Sequence, residues 1–78
     1  MAISNRAKAL LADFAVLIAA KEINPNGGFA KETQEVLRRL SSGNTPMDAQ
    51  WSVPARLAKS QRELEFLMAA QLTAKHSL

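Results

Sequence analysis

Two clusters of turn-forming residues, Asn24-Pro25-Asn26-Gly27-Gly28 and Ser41-Ser42-Gly43-Asn44-Thr45-Pro46, cut the chain into segments. Every segment repeats its apolar residues with helical period, and none alternates as a half-buried strand does. A weaker break stands at Ser52-Val53-Pro54. The pattern predicts an all-α fold: one domain over residues 1–78, built as a small helical bundle of three main helices plus one short helix. A chain of 78 residues has room for one modest core, and a partner chain often adds to its stability.

The chain has no Cys and a single His, His76. That removes disulfides and thiolate metal sites, and it leaves no base for a Ser-His-Asp or Cys-His arrangement. His76 itself reads as a residue of a fraying end. Glu63 and Glu65 fall on different sides of a helix, and Glu32 and Glu35 lie on an exposed face. No paired-carboxylate site follows from either. No glycine loop of the phosphate-binding kind is present. The expectation is a protein that is not an enzyme and carries no cofactor and no metal.

Helix 1 is expected from about Asn5 to Ile23, with Ser4 as its N-cap. Ile3, Ala7, Leu10, Leu11, Phe14, Leu17 and Ile18 form a core stripe. Ala9, Ala12, Val16, Ala19 and Ile23 form a second apolar seam, spaced three and four apart. A helix apolar on two sides is central in its bundle or buried against another chain. Helix 2 is expected from about Phe29 to Leu40. Its narrow stripe is Phe29, Thr33, Val36, Leu37 and Leu40, and Lys31–Glu35 and Glu35–Arg39 are its expected ion pairs. A short helix should start at Thr45-Pro46-Met47-Asp48, with Thr45 as cap and Met47 and Trp51 facing the core. Helix 4 is expected from about Pro54 to Lys75, since proline disfavours a helical residue before it. Its inner stripe reads Leu57, Gln61, Leu64, Leu67, Met68 and Leu72. That leaves Phe66 on the outer face among Lys59, Arg62, Ala69, Ala70 and Thr73.

Glu22-x-Asn24-x-Asn26-Gly27-x-Phe29 resembles the first eight positions of an EF-hand loop. Thr33 stands where that motif needs a bidentate acid, with Glu32 one residue early. The expectation is therefore a plain helix–helix turn without calcium.

The net charge of +3 leans toward the C-terminal third. The apolar run Phe14–Ala20 is too short to span a bilayer, so a cytoplasmic protein with no membrane partner is expected. These features favour a small protein-binding or regulatory module of bacterial or phage type: an adaptor, a co-chaperone or an inhibitor acting through helix faces. Its partner is another protein or a second copy of the chain as a homodimer. The candidate contacts are Ala12, Val16, Ala19 and Ile23 on helix 1, and Arg62, Phe66 and Ala70 on helix 4. The alternative is a helix-turn-helix-like DNA-binding regulator using the helix from residue 54, with Arg38, Arg39, Arg56, Lys59 and Arg62 on phosphates.

Overall fold

A computed structural model describes residues 5–44 and 46–76. The caps expected at Ser4 and Thr45, and the side chains of Ile3, Ala7 and His76, lie outside the described residues. The described residues form four helices and no strand: α1 (Asn5–Ala19), α2 (Gly28–Ser41), α3 (Asp48–Leu57) and α4 (Gln61–His76). The fold is all-α, and the expected short helix is a full ten residues long. α2 and α4 each touch the other three helices, whereas α1 and α3 do not pack on each other.

α1 stops at Ala19, four residues before the expected end. Lys21 takes a left-handed conformation, φ 64°. The Glu22 N–H then donates to the Leu17 carbonyl (2.9 Å) and the Lys21 N–H to that of Ile18 (3.0 Å). This is a Schellman closure, a motif that usually places glycine at the left-handed position. α2 ends in the same way, with Gly43 there at φ 93°. The Asn44 N–H donates to the Arg39 carbonyl and the Gly43 N–H to that of Leu40. By ending early, α1 turns Ile23 inward, where it is almost wholly buried.

α3 and α4 depart furthest from expectation. Pro54 does not open a helix; it is the seventh residue of α3, and its ring is fully buried. A proline inside a helix forfeits one backbone hydrogen bond, and packing the ring in the core opposes that cost. The start of α3 is also shifted. Met47 is its extended N-cap, held by its N–H donating to Gln50 Oε1 (2.7 Å). Met47 therefore does not share the helical face of Trp51 and is exposed, while Trp51 is buried.

The true break lies at Ala58–Ser60, with Ala58 extended. Ser60 Oγ accepts the Glu63 N–H (3.2 Å), and Glu63 Oε1 accepts the Lys59 N–H (2.7 Å). This reciprocal pairing is a variant of the capping box, Ser-x-x-Glu, and it starts α4. It also draws Glu63 into a buried position.

The core joins Leu10 and Phe14 of α1, Ile23, the α2 stripe, Trp51, and Phe66, Leu67, Ala70 and Ala74 of α4. Every residue of the expected α2 stripe is buried. The Phe14 and Phe66 rings meet at 5.3 Å between centroids, tilted by 33°, within the range where aromatic pairs attract beyond simple burial. Thr33 is completely buried, and its hydroxyl has no hydrogen-bond partner.

Candidate functional site

α4 is rotated relative to its expected orientation. Glu63, Phe66, Leu67, Ala70 and Ala74 face inward, and Leu64, Met68 and Leu72 face outward at 42%, 63% and 56% exposure. Residues four apart on a helix form one ridge along its surface. With a rise of 1.5 Å per residue, this ridge is about 12 Å long. A shallow groove beside it is lined by Met68, Gln71, Leu72 and Lys75. Glu65 lies near the N-terminal end of the ridge and Lys75 near its C-terminal end, both exposed.

The candidate residues at Phe66 and Ala70 are thus corrected. Both are core residues, with Phe66 8% exposed and Ala70 wholly enclosed. Ile23 is corrected in the same way, because the early end of α1 carries it into the core. The expected inner residues Leu57, Leu64, Met68 and Leu72 are all exposed. The inward face instead pairs small alanines with Phe66 and Leu67, which lets α4 approach its neighbours closely.

The rest of the α1 seam is on the surface. Ala12 and Ala19 are exposed and Val16 is 64% exposed. Ala9, Ala15 and Ala20 are exposed beside them, so the outer side of α1 presents mainly methyl groups, interspersed with the exposed Lys8 and Asp13.

Arg62 stands on neither apolar face. Its Nε is 2.8 Å from Glu22 Oε1 and its Nη1 is 3.9 Å from Glu65 Oε1. The first contact ties the loop after α1 to the start of α4. The pairs expected along α2 do not close to ion-pair distance; among the described residues both ion pairs start from Arg62.

The nucleic-acid candidates are all on the surface, and two of them, Arg62 and Arg39, lie beside acidic residues. Arg39 shares a groove with Glu32, Glu35, Val36, Gln50 and Val53. Arg38, Arg56 and Lys59 are exposed. The connection between α3 and α4 is three residues long, the length of a helix-turn-helix turn.

In the loop that resembles half an EF-hand, two of the possible ligands, Glu22 and Asn24, are engaged elsewhere. Glu22 pairs with Arg62, and Asn24 Oδ1 accepts the Asn26 N–H (3.0 Å). Thr33 is enclosed in the core. Among the described residues no three metal-ligating side chains cluster, and no helix is long and apolar enough to cross a membrane.

Comparison with protein-family models, with curated proteins and with solved structures returned no match.

Proposed function

We propose that this small helical bundle is a non-enzymatic protein-binding or regulatory module, of the adaptor, co-chaperone or inhibitor type, acting through an exposed helix face. The observation that carries the reading is the ridge of Leu64, Met68 and Leu72 on α4. Single exposed apolar residues are ordinary on protein surfaces. Three large ones in one row, beside a groove, are the arrangement with which a helix meets a partner's apolar surface. The four-residue spacing supplies the anchor positions that helix-in-groove recognition uses.

The test is affinity capture from the source cell with nuclease treatment, comparing wild type with a Met68→Ser/Leu72→Ser variant. Both positions are exposed, so the variant should melt close to wild type. The expected result is a protein retained by wild type and lost by the variant. A protein retained equally by both would remove the ridge from the account.

A second reading, a small DNA-binding regulator, draws on the three-residue α3–α4 connection. Glu63 and Glu65 in the first turns of α4 disfavour phosphate there. Recovery of nucleic acid alone, released steeply by salt, would favour that reading over the first.

A further inference from the structure

We infer that the Asn26-Gly27 peptide, in the loop between α1 and α2, is a self-modification site at which the chain converts Asn26 to aspartate and isoaspartate without an enzyme. The inference is independent of the helix-face reading above.

The conversion needs only water. The Gly27 backbone nitrogen attacks the side-chain carbonyl carbon of Asn26, Cγ, and gives up its proton. An N–Cγ bond forms, the Cγ–Nδ2 bond breaks, and Nδ2 leaves as ammonia. Water then opens the succinimide ring at either carbonyl, giving aspartate at one and isoaspartate at the other. The attacking nitrogen must come up against the preceding side chain, and glycine, with no Cβ, crowds that approach least. The other three asparagines are followed by Arg6, Pro25 and Thr45. Proline has no N–H to give up, and the side chains of arginine and threonine hinder the attack.

Both reacting groups are accessible. Asn26 is exposed, and its carboxamide makes no hydrogen bond among the described residues. The Asn24 side chain, by contrast, is occupied, with Oδ1 accepting the Asn26 N–H (3.0 Å). Gly27 is the N-cap of α2, so its own N–H lies outside the helical ladder. That N–H donates to the Asn24 carbonyl at 3.3 Å, just beyond the usual range for such a bond. One long turn bond in an exposed loop restrains the attacking nitrogen, and loops of this kind open at the low end of the free-energy scale.

The two products act differently on the start of α2. Its first turn has no acidic residue, and Gly27 supplies no side-chain cap. A carboxylate at position 26 therefore arrives where the helix dipole favours negative charge. In isoaspartate the main chain runs through Cβ and Cγ of residue 26, which adds one backbone atom to the loop. That atom lies between Ile23 and Phe29, both almost wholly buried. The longer path between two core anchors works against the packing of α1 on α2.

Trypsin isolates the site, because cleavage after Lys21 and Lys31 releases a Glu22–Lys31 peptide that holds only Asn24 and Asn26 of the asparagines. The folded protein would be aged in mildly alkaline buffer, digested beside an unaged control, and mapped by mass spectrometry. A carboxyl methyltransferase specific for isoaspartate would label that product. Conversion should collect at Asn26 ahead of the other asparagines, at a rate within about tenfold of that of the synthetic Glu22–Lys31 peptide. Gly27→Ala should slow it severalfold. An alanine Cβ there would meet only Asn24 atoms, none nearer than 3.6 Å, and φ −82° suits alanine, so this variant keeps the fold. Asn26→Asp should melt at or slightly above wild type, and the isoaspartyl form, separated by ion exchange, below it. The inference is overturned if the folded protein keeps Asn26 intact while the peptide converts, if Gly27→Ala ages as fast as wild type, or if another asparagine leads.

Discussion

Replacing Phe66 by alanine should remove a large fraction of the stability of this protein. The ring is 8% exposed and lies 5.3 Å from that of Phe14. Truncating a buried Phe typically costs about 3–5 kcal/mol, including the cavity left behind. Alanine is the better helix former by about half a kcal/mol, and a sliver of the ring already meets water, so the lower end applies: about 3 kcal/mol. For 78 residues the entropy of unfolding is roughly 0.16 kcal/mol per kelvin, and the melting temperature should drop by about 20 °C. The whole protein is worth about 4–12 kcal/mol at typical per-residue stability, so the variant loses a quarter or more of it. Thermal and urea unfolding would be followed by far-ultraviolet circular dichroism, with Trp51 fluorescence as a core probe. Met68→Ala is the internal control. It lies two residues away on the outward ridge and should change stability by less than about 0.5 kcal/mol. If the Phe66→Ala variant melts within about 5 °C of wild type, or if Met68→Ala is the more damaging change, the rotation of α4 described above is wrong.

Two further substitutions test the backbone and the core. Lys21→Gly should stabilise the fold by about 0.5–1 kcal/mol, because a left-handed conformation costs an L-residue roughly 1–2 kcal/mol, part of which glycine returns in unfolded-state entropy; an unchanged or lower urea midpoint would count against strain at this closure. Thr33→Val keeps the shape while removing an unpartnered buried hydroxyl, so stability should rise by about 1 kcal/mol; a loss of that size would reveal a partner for the hydroxyl.

Much of the fold was legible in the residues, and the exceptions have definite causes. α2 carries one apolar stripe on an otherwise charged surface, so its period admits one orientation, and all five expected residues are buried. α4 carries two apolar rows. One holds Leu64, Met68 and Leu72; the other holds Phe66, Leu67, Ala70 and Ala74, interrupted by Glu63. Side-chain size favours the first as core, and a carboxylate argues against the second. Glu63 is inward because it caps the helix from within its first turn, bonding to Lys59 while Ser60 bonds back. The signal was present as Ser60-x-x-Glu63, but Pro54 competed with it as the apparent helix start. Pro54 proved compatible with a helix interior through the burial of its ring, which depends on tertiary packing and leaves no local trace. The end of α1 was obscured for a related reason, since the position that usually takes glycine is Lys21. Of the second α1 seam, Ala12, Val16 and Ala19 lie on the surface, whereas Ile23, two residues past Lys21, is carried into the core by that hidden turn.

The interruption at Ala58–Ser60 also bears on how fast the chain folds. A single helix from Asp48 to His76 would project as a rod of about 44 Å, longer than the 34 Å of the whole molecule. Its C-terminal half could then reach the core only by leaving its neighbours in sequence. Folding α4 back after three residues makes α3 and α4 an antiparallel or angled pair closed by a minimal loop. The α1–α2 and α2–α3 connections are longer, at eight and six residues, but still modest, and α2 makes its most extensive contacts with those two chain neighbours. Little loop entropy must be surrendered before packing begins, and topologies dominated by such local contacts reach the native state in microseconds to milliseconds.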